Sequence, residues 1–343
     1  MVDKLTPTDT RVEHHTAAVN GKTYHYLLGT PSTSSPAGTV LLVHGWPDLS
    51  FGWRYQVPFL LSQGYRVIVP DMLGYGRSDA PESLSEYSLK SMSDDMAALC
   101  KHVLGDCEGQ VILGGHDWGG ALVWRIALWH PELLKAVFSV CTPYPPPRDM
   151  YISPEMLVQM LPNFKYQLQL GGPDVQREIV GKEKLRQLLN GIYGGRGPNR
   201  EPAFSTEKGV LFENLDKIGQ SPLLTPEETS FYVQEYERHG MRGPLNWYRT
   251  GKINFEEELE LVKDGRVRVT VPGLIIAASK DGALPPSMSV GMEKHFDKGL
   301  TKREVNASHW ALWEAPAGVN KYIGEFLEGV LKGESGESFK ASI

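Results

Sequence analysis

The apolar positions of this chain follow two rhythms. Short unbroken runs recur at Val40–Val43, Val67–Val69, Val111–Leu113, Ala136–Phe138 and Leu274–Ala278. Strands buried on both faces have this pattern, because helices cover both sides of a parallel sheet. Between the runs lie segments of helical periodicity, notably Leu89–Leu104 and Trp118–Trp129. The alternation predicts an open α/β sheet, whose ligands bind at the carboxyl ends of its strands. Ahead of the first run, Val19 and the alternating Tyr24, Tyr26 and Leu28 flank Asn20-Gly21, which predicts a tight hairpin and an antiparallel start.

The rhythm breaks after Cys141. Thr142-Pro143-Tyr144-Pro145-Pro146-Pro147 suits neither helix nor strand. Helical stretches follow at Glu155–Met160, Glu183–Leu189 and Pro226–His239, separated by Gly/Pro loops, and the β pattern resumes only at Val271. The predicted organisation is a core, 1–144, a helical cap, 145–250, lying over the carboxyl edge of the sheet, and a second part of the core, 251–343. Glu256-Glu257-Glu258 is expected to be a solvated helix face, and the Gly/Ser/Glu-rich end from Lys332 a loose tail.

The strongest chemical signal is Gly115-His116-Asp117-Trp118-Gly119-Gly120, between the strand at Val111–Leu113 and a helix. Strand, Gly-x-nucleophile-x-Gly, helix is the context of a nucleophile elbow. Residues without a Cβ relieve the crowding of so sharp a turn. The tip residue is Asp117, not Ser or Cys. A carboxylate there attacks carbon and leaves an alkyl ester, which points to opening of an epoxide or displacement of a halide rather than acyl transfer. The bland alternative is a helix-capping aspartate, which does not account for the glycines or the preceding strand.

Four further elements fit around it. His309 follows the last predicted strand, Arg303–Val305, and completes the order nucleophile, acid, histidine. Asp281 ends the strand at Leu274–Ser279 and is expected to orient His309; alone it reads as a turn aspartate before Gly282, and Glu314 is its rival. His44-Gly45-Trp46-Pro47 follows a strand where an oxyanion donor is expected, so the backbone N–H groups of Trp46 and Trp118 would form the hole. In the cap, Phe164-Lys165-Tyr166-Gln167-Leu168 and Leu245-Asn246-Trp247-Tyr248-Arg249 offer phenols that could donate to a developing alkoxide, although any one of fourteen tyrosines is more often packing.

Composition narrows the partners. A net charge of −6 with no basic block argues against nucleic acid. Cys100, Cys107 and Cys141 form no disulfide framework, which suits a reducing, cytoplasmic compartment. The start of the chain lacks a signal-peptide core, Lys340-Ala341-Ser342-Ile343 is not a peroxisomal address, and no apolar run is long enough to span a bilayer.

From about Thr39 to about Val319 the chain resembles the soluble epoxide hydrolases of the α/β-hydrolase fold, in particular the hydrolase domain of the mammalian soluble enzyme and its fungal relatives. The motifs are His-Gly-Trp-Pro-Asp (44–48), Asp71-Met72-Leu73-Gly74-Tyr75-Gly76-Arg77-Ser78, His116-Asp117-Trp118-Gly119-Gly120, Arg242-Gly243-Pro244-Leu245-Asn246-Trp247-Tyr248-Arg249, Lys280-Asp281 and His309-Trp310. The resemblance implies a mostly parallel sheet with an inserted helical lid. It implies Asp117 as nucleophile, Asp281 and His309 as the rest of the triad, and Tyr166 and Tyr248 as the lid acids. The N-terminal phosphatase domain of the mammalian enzyme is expected to be absent, since only about 35 residues precede the sheet; nothing in the motifs implies a metal, and epoxide and ester chemistry needs no cofactor. The family often has Asn where this chain has Cys141, a residue that cannot serve as triad acid, which favours Asp281. A haloalkane or fluoroacid dehalogenase would share the Asp elbow; a haloalkane dehalogenase resemblance would want Asn at position 46, where this chain has Trp46. A non-catalytic scaffold of the same fold would not need the full set of groups. Phe51, Trp53, Trp118, Trp247 and Trp310 suggest an apolar pocket for a small apolar epoxide.

Overall fold

The computed structural model describes residues 2–105 and 109–333. Cys107 and the end of the chain after Gly333, including Lys340–Ile343, lie outside the described residues. Two compact units emerge. The first runs to Met72, then from Leu89 to Asp149, and then from Asn254 onward; the second comprises Leu73–Ser88 and Met150–Ile253. The segment 73–88, which the sequence pattern assigns to the core, thus belongs to the second unit.

The first unit is built on an eight-stranded sheet. Its strands are β1 (Glu13–Val19), β2 (Lys22–Gly29), β3 (Gly38–Val43), β4 (Tyr65–Pro70), β5 (Val111–His116), β6 (Leu134–Val140), β7 (Gly273–Ala278) and β8 (Leu300–Val305), in the spatial order β1-β2-β4-β3-β5-β6-β7-β8. The expected hairpin is present: Val19 pairs with Lys22, and Asn20 and Gly21 take φ of 50° and 79°, the left-handed values a two-residue turn needs. β2 is antiparallel to both neighbours and every later pairing is parallel. Every residue of β5 and β7 is buried, whereas β1, at the edge, alternates. That contrast separates strands covered on two faces from one covered on a single face. Helix α1 (Gln56–Ser62) precedes β4. Helix α2 (Leu89–Leu104) buries Leu89, Met92, Met96 and Leu99, a single stripe. Helix α3 (Trp118–Trp129) buries most of its circumference, including Leu122, Val123, Trp124 and Ile126. Each such side chain contributes roughly 1.5–3 kcal/mol of burial.

One expectation fails in this unit. Glu258, read as part of a solvated face, is 8% exposed, and its carboxylate accepts from Arg125 Nε at 2.7 Å and Nη2 at 3.1 Å. A run of three glutamates cannot reveal that one of them faces a buried guanidinium 133 residues away in sequence.

The second unit is mostly helical. Its longest helices are Gly181–Ile192 and Pro226–Glu237, and its one strand pair joins Phe204–Ser205 to Gly209–Val210 among the described residues. Thr225 starts the second of these helices with a capping box: its hydroxyl accepts from Glu228 N at 3.1 Å, and Glu228 accepts from Thr225 N at 2.8 Å. Residues 73–88 join this unit through specific bonds. Trp247 Nε1 donates to the Leu73 carbonyl at 3.1 Å, Arg77 reaches Glu235, and Gly74 abuts Gly243 so closely that a Cβ on either would strike backbone. No helix of the described residues is long and apolar enough to cross a membrane.

Candidate active site

Asp117 sits between β5 and α3 with φ 54° and ψ −125°. That conformation is uncommon for a residue with a Cβ and stores about 1–3 kcal/mol. The turn is possible because Gly115 and Gly119 lack side chains: a Cβ on Gly115 would collide with the Gly119 carbonyl, and one on Gly119 with the Val43 carbonyl. Thr142 Oγ1 donates to the Asp117 carbonyl at 2.7 Å and ties the elbow to the end of β6. The Asp117 side chain makes no helix-capping bond, so the bland reading of this residue does not hold.

The loop after β3 supplies one expected donor. Trp46 N–H donates to Asp117 Oδ1 at 2.7 Å. His44 braces this loop: Nδ1–H donates to the Gly45 carbonyl at 2.9 Å and Nε2 accepts from Met72 N–H at 2.9 Å. One donating and one accepting nitrogen define a neutral ring, and burial accordingly pushes its pKa down to about 4. Trp118 opens α3 and is half-buried.

His309 lies after β8, with Nε2 3.3 Å from Asp117 Oδ2 and Nδ1 2.7 Å from Asp281 Oδ2. Burial opposes the imidazolium, but the two carboxylates outweigh it and hold the pKa well above the ordinary value. Burial would likewise raise Asp281, yet the charge and hydrogen bond of His309, with amide bonds from Leu284 and Ala283, bring it far below the usual carboxylate range. Asp281 is also the turn aspartate of the bland reading, since Oδ1 accepts from Ala283 N at 2.8 Å and Leu284 N at 2.9 Å. The turn holds the carboxylate while Oδ2 holds the histidine. Glu314, the rival acid, instead accepts from Ser308 N at 2.7 Å and Ser308 Oγ at 2.6 Å, bracing the histidine loop.

Two contacts of His309 are not foreseen from the sequence. His116 Nε2–H donates to the His309 carbonyl at 2.9 Å, its ring 5.0 Å from that of His309, and Cys141 Sγ–H points at the same carbonyl at 3.5 Å. Cys141 takes φ 68°. Asn tolerates that left-handed region better than most residues. The ligand atoms of His116, Cys141 and His309 lie within 4.8 Å of one another. The donor set is nonetheless poor for a cation: both His309 nitrogens face carboxylates, and burial first, then nearby acids, keep the Cys141 thiol protonated.

The remaining predicted residues fall in two places. In the first unit, Trp310 stacks on Trp313 at 5.4 Å and meets the His309 ring edge-on at 5.1 Å. Arg54 lies 4.1 Å from the Trp313 ring and 5.4 Å from the Phe51 ring, so Phe51 and Trp310 belong to one cation–π stack, and Trp53 is wholly buried. In the second unit, the rings of Tyr166 and Tyr248 meet edge-on, centroids 6.3 Å apart. Tyr166 is buried, also against Phe204, and Tyr248 is half-buried. Trp247 is 2% exposed, its indole N–H committed to Leu73.

A carboxylate on a strained strand-to-helix turn, with a histidine–aspartate pair beside it and an amide on its other oxygen, is the arrangement of an α/β hydrolase. Known proteins agree. The profile of the alpha/beta hydrolase fold family matches residues 38–170. Epoxide hydrolase srdG of Neurospora crassa is 50% identical over 338 residues, covering 95% of this chain and 98% of that protein. Bifunctional epoxide hydrolase 2 of Sus scrofa is 37% identical over 86% of this chain, which spans only 52% of its length. The crystal structure of epoxide hydrolase A from Mycobacterium thermoresistibile superposes with a TM-score of 0.77 at 26% identity, covering 93% of this chain and 98% of that one. The chain belongs to the epoxide hydrolase family of the α/β-hydrolase fold.

Proposed function

We propose that this protein hydrolyses epoxides to vicinal diols through a covalent ester on Asp117. The observation that carries the reading is the pair of contacts on one carboxylate: Trp46 N–H at 2.7 Å from Oδ1 and His309 Nε2 at 3.3 Å from Oδ2. Oδ2 attacks an epoxide carbon, the C–O bond breaks, and the ring oxygen takes the electron pair. Tyr166 and Tyr248 hydrogen-bond that oxygen, and one of them gives up its proton, so the oxygen remains on the esterified chain as a hydroxyl and one phenol is left as a phenolate. The ester is neutral, so one of the two carboxylates that raise the His309 pKa is gone. His309 then releases its proton more readily, which restores the phenol directly or through solvent, and becomes a base oriented by Asp281. It takes a proton from water, and the hydroxide adds to the ester carbonyl carbon. The resulting oxyanion on Oδ1 is held by the amides of Trp46 and Trp118. Collapse expels the diol, which recovers the proton from His309.

The substrate in this reading is a small apolar epoxide. The half-buried Trp118 beside the nucleophile supports it, as does Trp310, whose ring meets that of His309 at 5.1 Å. The reading includes a cytoplasmic location, supported by the free thiols of Cys100 and Cys141. The test is trapping. His309→Gln mixed with styrene oxide should gain one substrate mass, with the label on the peptide containing Asp117. A folded variant that gains no mass, or is labelled elsewhere, overturns the assignment. Chloroalkanes run in parallel should release no halide.

A further inference from the structure

The base of the triad is held by its main chain as well as its side chain. The His309 carbonyl accepts from His116 at 2.9 Å and from Cys141 at 3.5 Å. His116 closes β5 and Cys141 follows β6, whose residues pair along the sheet up to His116 and Val140. The loop after β8 is therefore tied to the strand ends that carry the nucleophile. We propose that His116 and Cys141 are positioning residues for ester hydrolysis, acting together as a clamp on the main-chain carbonyl of His309. The proposal rests on the two-step reading above.

Its logic is that the attachments of His309 change during turnover. In the free enzyme the ring is held at Nε2 by the charge of Asp117 and at Nδ1 by Asp281. Ester formation removes the first of these charges. Asp281 and the carbonyl clamp must then keep Nε2 aimed while a water is deprotonated. Ring opening, by contrast, uses Asp117 and a donor to oxygen and makes little demand on the aim of His309. The protonation states fit the role. Burial pushes His116 down to about 4, so the ring is neutral, and a carbonyl can only accept, so its proton is on Nε2. The thiol of Cys141, its pKa raised first by burial and then by the charge and hydrogen bond of Asp281, stays protonated between that carboxylate and the His309 carbonyl.

The experiment compares full-length wild type with His116→Phe, His116→Gln, Cys141→Ala and the His116→Phe/Cys141→Ala double variant. Phe keeps ring packing and removes the donor; Gln keeps a donor. Ester formation and ester hydrolysis are timed separately in single turnover with styrene oxide. His116→Phe should slow hydrolysis by about tenfold or more, the scale of a misaimed catalytic group, and ester formation by less than about threefold. His116→Gln should recover part of the loss. The double variant should fall short of the product of the singles, because both donors share one acceptor. A second readout needs no turnover: the downfield Nδ1–H proton of His309, observed by NMR, should exchange faster in His116→Phe. Unchanged hydrolysis with an unchanged proton overturns the clamp. So does an equal loss in both half-reactions with Gln no better than Phe. If His116→Phe does not fold, Cys141→Ala carries the same test, and absence of a selective loss overturns the proposal. Failure of the two-step reading itself would show in wild type as no ester, while the NMR measurement would still judge the clamp.

Discussion

The main-chain N–H of Trp46 lies 2.7 Å from Oδ1 of Asp117, so one oxygen of the carboxylate already occupies the place where an ester carbonyl would be polarised. The other is left for attack. This division depends on the elbow, which holds Asp117 at φ 54°. Asp117→Ala should abolish turnover in a folded protein, and so should Asp117→Gly. The two should differ in stability: glycine adopts this φ freely and alanine does not, so the glycine variant should melt higher, by about 1 kcal/mol of unfolding free energy. Diol formation above a few per cent in either variant excludes Asp117 as nucleophile, and an alanine variant as stable as the glycine one excludes strain at the elbow.

Stability should depend on pH in opposing windows. His44 and His116 are both pushed down to about 4 by burial, against about 6.5 in an unfolded chain. Between those values the unfolded chain binds more protons, so stability rises with pH across that window. Each group contributes on the order of a few kcal/mol. His309 has the opposite sign: its raised pKa contributes stability that is present below about 6.5 and lost as pH rises through the folded value. Asp71, its carboxylate bonded to His25 and Ser50, and Asp281 are depressed. Their contributions are present above about 3.9 and lost as pH falls towards the folded values. Melting temperature should therefore climb from pH 4 to 6.5, and His44→Gln, which removes one titrating ring, should flatten the climb. An equal slope in wild type and variant excludes His44 as a source.

What the sequence discloses here follows interaction range. β3, β5, α2 and α3 are legible because burial on one or two faces imposes a local period, and the elbow because a sharp turn demands glycine beside the tip. The order of Asp117, Asp281 and His309 is equally local, one residue at each strand end. The Arg125–Glu258 pair, the clamp on His309 and the bonds of residues 73–88 to Trp247 and Glu235 are different. Each joins segments whose adjacency exists only after the strands have ordered, and none imposes a period. Cys141 shows the intermediate case: the substitution is visible in sequence, but the reason for an unusual residue, φ 68°, is visible only in the backbone.

The Arg125–Glu258 pair gives a test of that hidden contact. Both residues are under 9% exposed, and Arg125 also donates to the Pro145 carbonyl at 2.8 Å. Removing one partner leaves a buried charge uncompensated, so Glu258→Ala should cost about 3–5 kcal/mol. Arg125→Met combined with Glu258→Leu should cost much less, because no charge remains. Chemical denaturation decides: a Glu258→Ala loss under about 1 kcal/mol would mean the pair is solvated after all, as the glutamate run suggests.

The two phenols of the second unit make the sharpest kinetic prediction. The rings of Tyr166 and Tyr248 meet edge-on, their centroids 6.3 Å apart at 75°. If each donates to the alkoxide as the epoxide C–O bond breaks, either alone retains part of the stabilisation. Tyr166→Phe and Tyr248→Phe should then each slow ester formation while leaving measurable activity. The double variant should fall by about a hundredfold or more, the scale seen when a preorganised donor is removed from a developing oxyanion. Because the two act as a unit, the singles need not multiply to the double. Ester hydrolysis, measured from pre-formed ester, should change little in any of them, since the proposed mechanism assigns that step to His309 and the amides of Trp46 and Trp118. The measurement is the single-turnover rate of adduct formation, read by intact mass. A double variant that forms ester at the wild-type rate makes both tyrosines packing residues and reopens halide displacement, whose leaving group needs no phenol.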